Sequence, residues 1–141
     1  MFVDGGLSAN LALDAVLSNP GQAPVLCIAV DLLPISSPRP HSLGEMIGRT
    51  QDLIFGIQSR RTIERWKAAY ATDGAHADHS VTFVRLAYAD QGREVAGKAM
   101  DFSPKSVRDR WDAGQRDGNA LAIRISDGKV VSNAPGFNMS A

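Results

Sequence analysis

An α/β fold, with a mainly parallel sheet and flanking helices, is predicted by three features of this 141-residue sequence. Residues 24–33 form an unbroken apolar run, the pattern of a strand covered on both faces. Residues 43–71 repeat apolar side chains at three- and four-residue steps, the pattern of one long helix. Strand-like and helix-like stretches alternate along the whole chain, as they do where helices connect parallel strands.

Taken in order, Phe2-Val3 reads as the last two residues of a buried strand running into Asp4-Gly5-Gly6. Ordinary strands have about five or six residues, so two residues point to a chain cut upstream or started at an internal methionine. Residues 10–17 predict a short helix capped by Asn10 and stopped by Asn19-Pro20-Gly21. After the strand at 24–33, Pro34, Pro38, Pro40, Ser36, Ser37 and Ser42 mark a loop. Ser42 with Glu45 forms a capping box for the long helix. Leu43, Met46, Ile47, Thr50, Leu53, Ile54 and Ile57 make its apolar stripe, which continues, slightly shifted, through Ile63, Trp66 and Tyr70. Gly56 marks a possible kink, since Gly in a helix interior costs roughly 1 kcal/mol relative to Ala. Residues 80–89 predict a strand with Val81, Phe83 and Val84 in the core. Ser103 caps a last helix, with Pro104 at its first position. Val107, Trp111 and Gly114 or Gln115 share one of its faces, and both tryptophans read as core residues.

Composition excludes several functions. Lysine plus arginine and aspartate plus glutamate each number 15, so no basic excess supports nucleic-acid binding. The single cysteine, Cys27, cannot close an internal disulfide. It lies in an apolar run and reads as a buried structural thiol rather than a nucleophile. No signal peptide or membrane-spanning run is evident, and a cytoplasmic protein is the default expectation. His76 and His79 are three apart but have no third ligand beside them, so no metal is expected. Gly92 and Gly97 lack the Gly-Lys-Ser/Thr ending of a phosphate loop, and no cofactor is implied. Arg60, Arg61, Arg65 and Lys67 read first as a solvated helix face, and second as a contact for anionic lipid headgroups.

Asp4-Gly5-Gly6 is the most informative motif. By itself Asp-Gly is a common turn signal. At the end of a buried strand, however, a carboxylate stands where ligands gather in open α/β sheets, and two glycines let other backbone approach closely. Residues 2–17 closely resemble the segment of patatin-like phospholipases that carries the catalytic aspartate. Asn10 matches the family's Asn-x-Pro-like segment, and Ala12 stands where proline is frequent. Arg49-Thr50-Gln51-Asp52, Ala77-Asp78-His79, Asp101-Phe102-Ser103-Pro104 and Arg110-Trp111-Asp112-Ala113-Gly114 resemble pieces of one bacterial branch of that family, in the same order. The resemblance covers about residues 2–117.

The resemblance implies part of a patatin-like three-layer fold and a serine hydrolase with a Ser–Asp dyad, acting on a lipid or other acyl ester. Asp4 matches the aspartate that accepts the serine's proton, and Gly5 and Gly6 are its motif neighbours. The family's nucleophile sits in Gly-x-Ser-x-Gly on a sharp strand-to-helix turn, and this sequence has no such motif. Ser8 follows Gly6 by two, but Asn10 replaces the second glycine. The Gly-rich oxyanion loop is also missing. Residues 1–20 are therefore expected to be the end of a catalytic core, 21–124 the C-terminal α/β region, and 125–141 a flexible tail. A fragment inactive on its own follows as the first expectation. The alternative is a non-catalytic α/β module that packs onto an N-terminal half or another copy of itself.

Overall fold

A computed structural model describes residues 10–33, 35–36, 39–88 and 101–140. It contains α1 (Asp14–Leu17), β1 (Val25–Asp31), α2 (Leu43–Thr72), β2 (Ser80–Ala87), α3 (Pro104–Ser126) and β3 (Gly136–Ser140). The three strands form one parallel sheet in the order β1-β2-β3. The α/β class and parallel sheet are as the sequence predicts. The motif Asp4-Gly5-Gly6 and the stretch 89–100 lie outside the described residues.

One face of the sheet carries the main core. Cys27 and Ala29 of β1, Val81 and Phe83 of β2, and Leu17 of α1 pack against Ile63, Trp66 and Tyr70 of α2. Tyr70 donates its hydroxyl to the Leu17 carbonyl, and Phe83 stacks on Phe137 of β3 with ring centroids 5.2 Å apart. On the other face the C-terminal half of α3 covers β2. There Leu121 and Ile125 meet Val84, Leu86 and Val130. Helices thus flank both faces, giving three layers. The strand order runs one way while α2 and α3 lie on opposite faces, so the two crossovers have opposite hands, an uncommon arrangement.

Caps set the helix boundaries. Ser42 accepts from the Glu45 backbone N–H, and the Glu45 carboxylate reaches back to the His41 N–H, one residue before the cap. Ser103 accepts from the Ser106 N–H, with Pro104 opening α3. Both caps are where the sequence places them.

Four expectations are corrected. First, the helix predicted over 10–17 is one turn, Asp14–Leu17, without a side-chain cap. The Asn10 side chain donates instead to Ser59 of α2. Second, β1 is not covered on both faces. Among the described residues it has a strand neighbour on one side alone, α3 packs over β2, and Leu26, Ile28 and Val30 stay exposed. Third, the tail beyond 125 is not loose as a whole, because α3 continues to Ser126 and residues 136–140 form β3. Buried Thr82 holds the approach to β3 by hydrogen bonds to the backbone of Ser132. Gly136 supplies the positive φ of 96° with which that strand begins. Fourth, the stripe on α2 does not continue inward. Six residues separate Ile57 from Ile63, which at roughly 100° per residue turns the side chain about 120° around the helix. Ile63, Trp66 and Tyr70 face the sheet, whereas Leu43, Met46, Ile47, Ile54 and Ile57 are exposed.

α2 is a single 30-residue helix through Gly56. That glycine is there for a close approach. A Cβ on it would lie 3.0 Å from the Leu33 carbonyl oxygen, so its absence lets the segment after β1 lie against the helix.

α1 is tied to α2 by Asp14, which accepts from the Arg65 guanidinium and from the Trp66 indole N–H at 2.7 Å. These bonds, the arginine's first, hold the Asp14 carboxyl below its ordinary 3.8. A carboxyl depressed on folding stabilises above its unfolded pKa and loses that contribution as pH falls through the folded value. The melting-temperature gap between wild type and Asp14→Asn is therefore expected to be constant near neutrality and to shrink below about pH 4. A gap that is constant down to pH 2, in thermal melts followed by circular dichroism, would contradict this role.

Candidate functional site

The carboxyl ends of β1 and β2 open into a cavity of about 550 Å³, within the roughly 300–1,000 Å³ typical of small-molecule sites. Its position follows from element lengths. A helix of 30 residues is about 45 Å long, about twice the length of β1. The first half of α2 therefore extends past the strand ends, and the first half of α3 does the same. Val30 of β1 with Leu32 and Leu33 after it, and Leu86 of β2 with Tyr88 after it, form the floor. Gly48 and Phe55 of α2 and Gly114 of α3 form the walls. The lining is mostly apolar, with Gln51, Asp52, Tyr88, Arg110 and Asp117 carrying its side-chain polar groups. Arg110 donates to the Asp101 carbonyl, and the Asp101 carboxylate accepts from Ser106 and from the Ser103 N–H, which holds its pKa below the usual range. An apolar chamber with a few fixed polar groups suits a molecule with an apolar body and one polar end.

A second feature sits on the other side of the sheet at the same end. Asp31, the last residue of β1, is 2% exposed. Its Oδ1 accepts from the Leu33 N–H, and its Oδ2 lies 3.7 Å from Arg60 and 3.8 Å from Arg85. Those distances are too long for hydrogen bonds, and Oδ2 has no hydrogen-bond partner. The carboxylate is enclosed between two guanidiniums that each remain about one-third exposed. It joins β1, β2 and α2 by charge.

The remaining sequence candidates separate. Cys27 is buried, and burial pushes its thiol upward, away from the thiolate a nucleophile needs. His76 pairs with Asp73 at 2.8 Å and packs against Trp66 and Tyr70. His79 Nδ1 lies 3.1 Å from the Gly21 carbonyl oxygen. Among the described residues no His, Cys, Asp and Glu side chains gather as a metal requires. Of the four basic residues in the second half of α2, three have acidic partners among the described residues: Arg60 with Asp31, Arg65 with Asp14, and Lys67 with Glu64. Trp66 is buried as expected. Trp111 is 70% exposed, because the first half of α3 stands beyond the sheet.

Sequence reading did not single out Asp31, Asp52 or Arg110 as site residues. A carboxylate closing an apolar strand was a visible signal for Asp31. Asp52 and Arg110 stood within family-like segments, with nothing local to mark them as cavity walls.

The fold and cavity define an α/β protein with an apolar chamber at the carboxyl ends of its parallel strands, the place where ligands gather in this class. A family model described as patatin phospholipase matches residues 41–125, more than half of the chain. The chain belongs to that family. No curated protein and no solved structure matches it. The matched stretch includes both cavity helices and excludes the Asp4 motif. Among the described residues, no helix is long and apolar enough to cross a membrane.

Proposed function

We propose that this chain supplies the aspartate and part of the acyl-chain pocket of a lipid acyl hydrolase whose serine lies outside these 141 residues. The cavity is the observation that carries this reading. It is apolar, sized for a small-molecule ligand, and lined mostly by the stretch that matches the phospholipase family, with Val30, Leu32 and Leu33 added from before it. In the reaction, Asp4 takes the proton of the serine hydroxyl as it attacks the ester carbonyl. The proton passes to the departing alcohol, and water then releases the acyl group. Without a Gly-x-Ser-x-Gly serine, the chain by itself has no group to acylate.

The test has two arms. The isolated chain is expected to give no turnover of a short-chain nitrophenyl ester. Turnover abolished by Asp4→Asn would sink the claim of inactivity. The same chain is expected to bind saturated fatty acids, with affinity rising roughly fourfold per added methylene until the cavity fills, from about 0.8 kcal/mol per buried CH₂. Gly114→Leu checks the location. A Cβ at Gly114 meets nothing within 4 Å, so leucine fits and adds about 1 kcal/mol of helix propensity. Its four side-chain carbons take the room of about four methylenes, a loss of roughly two-hundredfold in affinity for a chain that fills the cavity. Isothermal titration calorimetry and thermal melts should therefore move in opposite directions. Unchanged affinity in the leucine variant would remove the cavity from the proposal.

A further inference from the structure

We propose that the outer face of α2 is a helix-pairing surface on which a second copy of this chain docks. Leu43, Ile47, Thr50, Ile54 and Ile57 follow one another at steps of four, three, four and three residues. That is the 3.5-residue seam of paired helices, narrower than the stripe of a helix buried in a core. These residues face away from the sheet. Leu43 is 74% exposed, Ile47 58% and Ile54 59%. Thr50 turns its hydroxyl onto the Met46 carbonyl, so its polar group is satisfied within the helix.

Three observations favour another copy over other occupants. The first is charge. The seam is flanked by Gly44, Gln51 and Gln58 on one side and by Met46, Leu53 and Arg60 on the other. Arg60 is directed to Asp31, so two copies meet without like charges along the seam. Helices that lie on lipid surfaces instead place lysine and arginine beside the apolar face. The second is area. The bare seam, with Met46, presents on the order of 600 Å² per copy, approaching the ~800 Å² each partner buries in a standard interface. Soluble monomers rarely leave so large an apolar patch uncovered. The third is order. Ile63, Trp66 and Tyr70 anchor the second half of α2 to the sheet, so the first half is already helical and little freedom is lost on docking. The seam ends at Ser42, the cap, and at Arg61, the next position in the repeat.

The decisive measurement is the mass of the 141-residue chain by light scattering after size exclusion, across micromolar concentrations. The expected mass is twice 15.1 kDa. The double variant Ile47→Glu with Ile54→Glu is expected to be monomeric, with association weakened roughly a hundredfold or more by like charges across the seam. Its helical circular dichroism should match wild type, because both side chains are exposed. Thr50 lies midway along the seam, so a twofold axis brings its two copies together whichever way the helices run. Thr50→Cys is expected to form an oxidised dimer, with buried Cys27 not competing. A wild-type monomer would overturn the proposal, as would a glutamate variant that stays dimeric. Binding of a monomer to anionic vesicles, lost in the glutamate variant, would assign the face to lipid and overturn it equally.

Discussion

Phe83→Ala is expected to cost about 3–5 kcal/mol and to lower the melting temperature by about 10–20 °C. Phe83 is 0% exposed at the centre of the main core. It stacks on Phe137 and so joins β2 to β3 across the face that α2 covers. Truncation removes its transfer energy, leaves a cavity, and strips a ring contact from Phe137. The whole stability of a domain this size is about 5–15 kcal/mol, so a substantial unfolded population is expected on mild heating. Trp111→Ala is the matched control. A larger side chain is deleted, but from an exposed position on the part of α3 that stands beyond the sheet. Its cost should be within about 0.5 kcal/mol. Urea denaturation of the two variants checks the pair. Equal losses would mean that Trp111 is buried and that α3 packs differently.

The same two residues show how far the sequence could be read. β1, β2 and both helix caps were legible because their causes are local: apolar runs, Ser-x-x-Glu, and Ser-Pro; β3 was not, because its Gly-, Ser- and Asn-containing stretch reads as a tail. The core of β2 was legible because Val81, Phe83 and Val84 sit in a strand buried on both faces. Facing was less legible. An apolar stripe says that a helix has a partner, not which one. On α2 the positions 43–57 and 63–70 were read as one stripe, although about 120° separates Ile57 from Ile63. On α3 the Val107 and Trp111 face was read as core, whereas Ala113 and Leu121 are the buried residues. The cavity was not legible at all. Its walls come from two loops and two helices whose ends overhang the sheet, and no single segment encodes that overhang. Asp31 was visible as a carboxylate closing an apolar strand, but nothing in the run itself marks the two arginines that enclose it.

Asp31 closes β1 and Asp4 is the proposed base, and the two are expected to respond oppositely to substitution. In a protein that joins this chain to its Gly-x-Ser-x-Gly segment, Asp4→Asn is expected to lower kcat by about 10²–10⁴-fold with the fold unchanged, the range for loss of a general base. The amide keeps the shape of the carboxylate but cannot take the serine's proton. Asp31 is a poor alternative base. It is 2% exposed, its Oδ1 is engaged by the Leu33 N–H, and two guanidiniums flank its Oδ2. Asp31→Asn removes the one negative charge between Arg60 and Arg85 and leaves them facing each other across a buried amide. The expected result is a lower melting temperature, by an amount moderated by the solvent that reaches both arginines, with kcat of the folded fraction within a fewfold of wild type. Steady-state kinetics and melts on the two variants separate the roles. A protein that keeps its full kcat with Asp4→Asn, or loses it only with Asp31→Asn, would move the base from Asp4 to the end of β1.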